Sequence, residues 1–386
     1  MNLRRIGLGV VLAATMAAST FAPVVFSVLA TDLRSEFSVA RWQIGALVTV
    51  VTAVGAALSP ISGSIIDRFA PRHTTAATAV IAGSGFVAMG LAPGYAWLAA
   101  ASVLCGIAQA SSNPATNRLI MSQAEAGRRG FLTGIKQGGV QAGNFLGGIL
   151  LPIGAAAAFG WRGTMFLAAS VPVIALVVLG LLIRGRPAPS QPAAAPRARS
   201  APLVFRLALY AGLLGITAGS LLTHLPSFAQ ESFGFSLEAG GALVAVFAGV
   251  GFAARLSAGP LSERFFGHHR ALAGMAVLTG LAGILLALAP SGAWLWPAAV
   301  MIGIGPMAWN VIGNLAVMEL SPPGGAGRGS GVMMAGFLGG MAVGAPLFGA
   351  SVDLLSTYRP GWLGVAALGL VAARVGSGVR AEAAAG

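Results

Sequence analysis

The sequence predicts an all-α polytopic membrane protein in which twelve transmembrane helices form two halves of six. Three observations predict this class. Hydrophobic residues make up 56% of the chain and charged residues only 9%, whereas soluble domains carry about 25% charged residues. Apolar stretches of roughly 20 residues recur, and each can cross a bilayer core of about 30 Å. A short charged motif also occurs twice, half a chain apart, which indicates two related halves.

The apolar runs give the twelve helices in order. The first half has predicted spans at 6–30, 42–66, 74–93, 96–121, 131–157 and 163–183. The second half has predicted spans at 204–229, 237–261, 271–290, 294–318, 329–351 and 361–380. Glycine, with 56 residues, and alanine fill these runs, as expected for helices that pack closely in lipid. The predicted domains are therefore a six-helix bundle at 1–183, a linker at 184–203 and a second six-helix bundle at 204–386.

The distribution of arginine predicts the orientation. The Pro/Ala/Arg tract at 184–203 cannot build a core and predicts an extended linker. Arginines are concentrated in this linker, at the N-terminus and in the even-numbered loops, so the linker and both termini should be cytoplasmic. Residues 1–30 resemble a signal peptide, but their apolar run exceeds the usual length of roughly 7–15 residues, and we interpret it as an uncleaved first span. We expect a multi-pass protein of the bacterial cytoplasmic (inner) membrane.

Several other classes of protein are excluded by composition. The net charge of +13 would suit nucleic acid, but the arginines do not cluster with aromatic residues on a polar surface. The single cysteine, Cys105, lies in an apolar run, which excludes a disulfide framework and a cysteine-based metal site. The chain has no phosphate-binding loop. We therefore expect no enzyme activity, no nucleic-acid partner, no metal and no cofactor.

The repeated motif places a glycine, an acid and an arginine after the second helix of each half at a constant offset of 196 residues, and a further arginine follows in each copy. Its positions are Gly63, Asp67, Arg68 and Arg72 in the first copy and Gly259, Glu263, Arg264 and Arg270 in the second. This motif resembles the signature loop of the major facilitator superfamily. The resemblance covers nearly the whole chain and implies a secondary transporter that works by alternating access. It also implies that these loops gate the change of conformation, with the acids bonded to helix N-termini and arginines.

A second repeat concerns amide side chains. Asn113 and Asn117 lie four residues apart in the fourth span, and Asn310 and Asn314 lie four apart in the tenth, offset by 197 residues. Residues four apart share a helix face. Each half therefore presents a pair of amides, which would either hydrogen-bond a substrate or join neighbouring helices.

Arg255 is the sharpest candidate for substrate binding. It lies nine residues before Arg264, which puts it about 13 Å deep, near the bilayer midplane. A charge at that depth is costly unless it faces a wet cavity or a partner. The corresponding residue of the first half is Ser59. An arginine in the eighth helix also resembles the anion-binding arginine of monocarboxylate, oxalate and nitrate porters. The alternative is a structural cation bonded to helix carbonyls or to a distant acid.

Lys136, the only lysine of the chain, is a second candidate cation. It lies about 9 Å into the fifth span, and with Gln137 and Gln141 it is a candidate substrate ligand on a polar side of this helix. The stretch from Gly134 to Gly139 resembles the Gly-Ile-Lys-Gln-x-Gly segment of bacterial cyanate and nitroimidazole permeases. The alternative is a lysine whose long stem extends to the cytoplasmic surface.

His224 in the seventh span and Arg118 in the fourth are candidates for coupling to protons. Histidine titrates near neutral pH, but a buried histidine is more often a hydrogen-bonded packing residue. For Arg118, a structural role between helices is the favoured interpretation.

Together these features predict a secondary active transporter of a small, organic anion. Its partners would be that anion, a co-transported proton or exchanged anion, and the lipid bilayer, and we expect a monomer. The alternative is a drug or amphiphile efflux antiporter of the same superfamily, which the glycines of the fifth helix favour. A receptor or scaffold on the same fold is a third possibility, but the chain shows no sensory or docking domain.

Overall fold

The computed structural model describes residues 3–66, 68–123, 129–157, 160–183, 202–320 and 326–378. Fifteen α-helices account for most of this part of the chain. They are α1 (Leu3–Thr20), α2 (Ala22–Val28), α3 (Ala30–Phe37), α4 (Arg41–Ile66), α5 (Pro71–Gly90), α6 (Tyr95–Gln123), α7 (Arg129–Ala156), α8 (Gly160–Leu182), α9 (Pro202–Phe233), α10 (Leu237–Leu261), α11 (His268–Ala287), α12 (Leu295–Ile304), α13 (Trp309–Leu320), α14 (Ala326–Leu355) and α15 (Arg359–Ser377).

Each of the twelve predicted spans coincides with one of these helices or with a pair of them. Within the described ranges, nine helical segments are long and apolar enough to cross a membrane, and ten if α1 and α2, which are bent by 52°, form one span. The two predicted spans outside this set are the third and the fourth, which form the helices α5 and α6 of 20 and 29 residues. The predicted tenth span is divided into α12 and α13.

The chain separates into two compact units. The first comprises residues 1–39 and 50–192, and the second comprises residues 40–49 and 193–386. Helix α4 is therefore shared, because its first turns belong to the second unit and the remainder to the first. The predicted linker at 184–203 lies outside the described residues, apart from its last two positions.

In the first unit, α1 packs on α6, α7 and α8, and α5 packs on α6 and α8. Leucine, isoleucine and valine side chains of α1, α6, α7 and the C-terminal end of α8 form one core cluster: Leu8, Val11, Leu12, Leu119, Ile120, Leu132, Leu179 and Ile183. The α1–α7 contact is close because glycines face α1. A Cβ added at Gly139 would lie 2.4 Å from the Ala13 carbonyl oxygen, so no side chain fits there.

In the second unit, α9 packs extensively on α14, α11 packs on α15, and α10 packs on α12. Trp309 and Tyr210 fill the centre of its main core cluster, where their rings meet edge to face at 5.9 Å. The Tyr210 hydroxyl donates to the Leu272 carbonyl at 2.7 Å, which satisfies the polar end of a fully buried side chain. Glycines of α14 allow the α9–α14 contact in the same way as those of α7 allow the α1–α7 contact.

Candidate functional site

The tenth span is broken at residues 305–308, and the sequence explains the break. Pro306 has no N–H to donate, so the Ile302 carbonyl accepts instead from the Met307 N–H at 3.3 Å. Gly305 follows the last residue of α12 and lies close to α11. A Cβ there would lie 2.6 Å from Thr279 Oγ1, so this position has no room for a side chain. The break leaves backbone carbonyls inside a membrane span, where each needs a donor.

Arg255 supplies one of these donors. Its Nε donates to the Met307 carbonyl at 2.8 Å. The side chain reaches the break because α10 and α12 approach closely, and a Cβ added at Gly303 would lie 2.7 Å from the Phe247 carbonyl oxygen. Arg255 therefore bonds a backbone carbonyl at the helix break, which is the kind of contact that its structural alternative predicted.

Asn310 and Asn314 lie in the first turns of α13, directly after the break. The Asn314 amide donates back to the Asn310 carbonyl at 2.8 Å. In the described part of the chain, Asn310 Oδ1 is buried and meets no hydrogen-bond donor. The two amides thus share a face, as predicted, but only Asn310 keeps an unused buried acceptor.

In the first unit the structure joins two of the predicted ligands. Lys136 of α7 donates from Nζ to Asn117 Oδ1 of α6 at 2.5 Å, and its side chain is only 2% exposed. Lys136 therefore does not extend to the surface. The alternative interpretation, in which its long stem reaches the cytoplasmic surface, does not agree with this position. Asn113, one turn before Asn117, is exposed.

The two glutamines of α7 differ from each other. Gln137 is exposed, whereas Gln141 is 2% exposed. Asn144, one turn further along, has a buried Oδ1 without a donor among the described residues. This side of α7 is polar, as predicted, but it is not uniformly accessible.

Arg118 is tied to the C-terminal end of α4. Its Nη1 donates to the Ile66 carbonyl and to the Phe69 carbonyl, the latter at 3.2 Å. Positive charge is favourable at a helix C-terminus. These contacts fit the favoured structural interpretation of Arg118. They hold the start of the first signature loop against α6.

The first signature loop is partly described. Gly63 lies within α4, Arg68 is exposed, and Arg72 Nη2 donates to the Gly180 carbonyl of α8 at 3.1 Å. Asp67 lies outside the described residues. The predicted partners of this acid therefore remain a prediction.

The second signature loop begins with a π-helical turn at Ser262–Phe266. The Gly267 N–H closes this turn on the Ser262 carbonyl at 2.7 Å, with a φ of 70° that favours glycine. Arg264 and Arg270 are exposed, and the Arg264 guanidinium lies 5.2 Å from the Phe265 ring centroid. Gly259 lies in the last turn of α10, and the Glu263 side chain lies outside the described part.

His224 is buried in the second unit. Its Nε2 lies 2.8 Å from the Ala345 carbonyl oxygen, and its ring stacks on Phe348 at 5.0 Å. A carbonyl only accepts, so Nε2 carries the proton. These contacts fit a hydrogen-bonded packing residue.

Sequence reasoning missed two charged clusters at helix ends. The first-unit end cluster consists of Glu36, Trp161 and Arg162, in which the indole N–H and the guanidinium both donate to the carboxylate. The repeat was a signal for it, because Trp161-Arg162 corresponds to Tyr358-Arg359 at an offset of 197 residues.

The second-unit end cluster consists of Arg41, Glu231, Asp353 and Tyr358, on the wall of a cavity of about 440 Å³. Arg41 pairs with Glu231, and with Asp353 at 3.1 Å. The Tyr358 hydroxyl donates to Glu231 at 3.0 Å. Burial, and then the charge of Glu231, raises the pKa of Tyr358, which keeps this hydroxyl a donor.

Comparison with known proteins adds the following. A family model described as Major Facilitator Superfamily matches residues 8–345. Probable nitrate/nitrite transporter NarK2 of Mycobacterium tuberculosis is 29% identical over 367 residues, which cover 89% of each chain. Probable sulfoacetate transporter SauU of Cupriavidus necator is 24% identical over 291 residues, 68% of this chain and 67% of that protein.

A third relative matches a shorter region. Lincomycin resistance protein of Streptomyces lincolnensis is 30% identical over 154 residues, and the match spans 39% of this chain and only 31% of that protein. Among solved structures, an inward-facing, occupied bacterial homologue of the human lysosomal transporter Spinster superposes with a TM-score of 0.82 at 18% identity. The match covers 99% of this chain and 98% of that one.

Proposed function

The chain belongs to the Major Facilitator Superfamily of transporters, and from this premise we propose that it carries a small organic anion across the bacterial cytoplasmic membrane. Transport would be secondary active and would proceed by alternating access, as in the superfamily. Arg255 would bind the negative group of the substrate.

The observation that carries this proposal is the position of Arg255 at a broken transmembrane helix. The acid of its own span, Glu238, lies 17 residues away, or about 25 Å along the helix. The Met307 carbonyl orients the guanidinium through Nε. A charged residue within a membrane segment marks a substrate or ion pathway by default, and a guanidinium can meet a carboxylate or a sulfonate with two hydrogen bonds.

Two relatives support an anionic substrate. By their names, NarK2 transports nitrate and nitrite, and SauU transports sulfoacetate. Both kinds of ion carry a planar or tetrahedral group of negative oxygens, which matches the donors of an arginine. The identities of 29% and 24% support the class of substrate and not one compound.

Further ligands are proposed in each unit. In the second, Asn310 lies three residues after the carbonyl that Arg255 binds, and its buried Oδ1 would accept a hydrogen bond from a hydroxyl or protonated group of the substrate. Asn314 orients this turn. In the first, Lys136 would add positive charge, with Asn117, Gln137, Gln141 and Asn113 as polar ligands along the path.

The test is uptake into proteoliposomes, with carboxylates, sulfoacetate and nitrate as substrates. Arg255→Lys keeps the charge but loses the paired N–H donors of the guanidinium, so we expect uptake to fall about 10-fold. Arg255→Gln also removes the charge and should reduce uptake at least about 100-fold. Because Arg255 also binds the Met307 carbonyl, thermal unfolding of each variant must be measured. Arg374→Gln, in the last turn of α15, is the matched control. Uptake by a folded Arg255→Gln variant at the wild-type rate would eliminate the anion site.

A drug efflux antiporter is the second candidate. The match to the lincomycin resistance protein and the glycines of α7 favour it. In the structure, however, Gly139 and Gly143 face α1, and close packing accounts for them. A thermal-shift screen with lincosamides and cationic amphiphiles beside the anions separates the two candidates, because a ligand stabilises the folded protein it binds.

A further inference from the structure

Lys136 is a buried amine with an unusual surrounding. Its side chain is 2% exposed, and an ammonium group has three N–H donors. Within the described part of the chain, Asn117 Oδ1, at 2.5 Å, is the acceptor that Nζ meets. An amide oxygen is neutral and does not compensate a positive charge.

The helices around α7 offer no negative charge either. Helices α1, α2, α6 and α8 pack on α7, and neither they nor α7 contains an aspartate or a glutamate. The other titratable side chains of these helices are Arg4 and Arg5 of α1, Tyr95, Cys105 and Arg118 of α6, Arg129 of α7, and Arg162 of α8. Arg118, which directly follows Asn117, is a further cation. All other charged groups on these five helices are therefore positive, and their repulsion disfavours the protonated form of Lys136.

Arginine and lysine respond differently to such surroundings. A guanidinium stays charged under nearly all conditions, whereas a buried lysine readily gives up its proton. Arg255 and Arg118 therefore cannot carry an exchangeable proton. His224 is held by a carbonyl on one nitrogen and stacked on Phe348. Of the three cations Arg118, Arg255 and Lys136, the lysine is therefore the one that can gain and lose its charge.

We propose that Lys136 is the proton-coupling site of this transporter. In the empty carrier the amine is neutral and donates one N–H to Asn117. When the anion binds, the Nζ lone pair takes one proton from solution, and the ammonium balances the new negative charge. Release of the anion returns the proton to the other side, so a monovalent anion and a proton cross together without net charge movement.

This inference rests on the proposed function, because the transported anion is the ion whose binding favours protonation of Lys136. It adds the coupling ion and its site. By linkage, proton and anion must strengthen each other's binding by the same factor. Anion affinity should therefore fall about tenfold for each pH unit above the point at which the bound-state amine loses its proton.

The single lysine of the chain allows a direct test. Protein labelled with 13Cε-lysine and carrying a lysine-free tag gives one lysine signal in the NMR spectrum. The chemical shift of this signal reports the charge of the amine. At pH 8 the empty carrier should give the neutral-amine shift. Saturation with the anion that binds in the uptake screen should move it to the ammonium shift, and a weakly buffered indicator dye should record uptake of about one proton per anion.

Substitutions of Lys136 and of its partner Asn117 extend the test. Lys136→Arg keeps a permanent charge, so anion affinity should persist but become independent of pH, with no proton uptake. Lys136→Met should bind the anion at least about tenfold more weakly, also without pH dependence. Asn117→Ala removes the acceptor of the Nζ hydrogen and should alter the pH profile. Ser122→Ala, in the last turn of the same helix, is the control and should leave the profile unchanged.

The outcomes separate the two proposals. Failure of every anion to bind wild-type protein overturns the proposed function, and the coupling with it. Binding of an anion without a change in the lysine resonance, or an ammonium shift in the empty carrier at pH 8, overturns the coupling alone. A folded Lys136→Arg variant that still takes up a proton with the anion would also overturn it.

Discussion

The α1–α7 contact of the first unit and the α9–α14 contact of the second derive from the same repeat but differ in closeness at the middle one of three corresponding glycines. The glycines involved correspond at an offset of 197 residues: Gly139, Gly143 and Gly147 with Gly336, Gly340 and Gly344. A Cβ at Gly340 would lie 2.1 Å from the Gly212 carbonyl oxygen, whereas a Cβ at Gly143 would lie 3.0 Å from the Ala17 Cβ. The repeated glycines permit approach, and the residue on the opposite helix decides how far it goes.

The largest expected effect comes from filling these two contacts. Gly340→Ala places a methyl group against backbone, which cannot move aside, and we expect a loss of about 2 kcal/mol in unfolding free energy. Gly143→Ala meets a small side chain and should cost less than about 1 kcal/mol. Unfolding of both variants in detergent, followed by circular dichroism, measures the difference. Equal losses would show that the two contacts are equivalent.

The two end clusters provide a smaller contrast. Arg41 joins Glu231, Asp353 and Tyr358, whereas Arg162 joins Glu36 and the Ala92 carbonyl. The side chains of both pairs are partly exposed, so solvent screens them. We expect Arg41→Gln to cost about 1 kcal/mol and Arg162→Gln about 0.5 kcal/mol. Raising the salt concentration should reduce both losses, and a larger loss for Arg162→Gln would reverse the comparison.

The smallest expected effect concerns a feature that both units share. Arg4 donates to the Leu182 carbonyl at the end of α8, and Arg206 donates to the Gly378 carbonyl at the end of α15, each at 3.1 Å. Arg4→Gln and Arg206→Gln should each cost about 0.5 kcal/mol, as expected for a cation at a helix C-terminus. Thermal unfolding should show equal losses in the two variants, unlike the two preceding pairs.

The sequence predicted the helices well because length and apolarity decide what can span a membrane. All twelve predicted spans fall on helices, and the repeat relations were visible as constant offsets. The pairing of Lys136 with Asn117 was not predicted, since it depends on how α6 and α7 face each other. The position of Arg255 within the eighth span was predicted, but its Met307 partner was not, because Pro306 was not recognised as a break.

The two intramembrane cations also mark the limit of repeat reasoning. Arg255 corresponds to Ser59, and Lys136 corresponds to Met333. Duplication accounts for the glycines, the loops and the amide pairs, whereas each cation occurs in one half only. The sequence could find them as exceptions to the repeat, but their contacts follow from tertiary packing.

The break at Pro306 has a consequence for biosynthesis. An isolated tenth span would present unsatisfied carbonyls to lipid, each costing several kcal/mol, and an isolated α10 would carry Arg255 into the bilayer at about 3 kcal/mol. Each segment alone is therefore a poor substrate for membrane insertion. Helix α10 is synthesised before the tenth span, so Arg255 is already in place when Met307 is inserted and can donate to its carbonyl. Two segments that insert poorly alone become acceptable together, which ties the assembly of this unit to the order in which it is made.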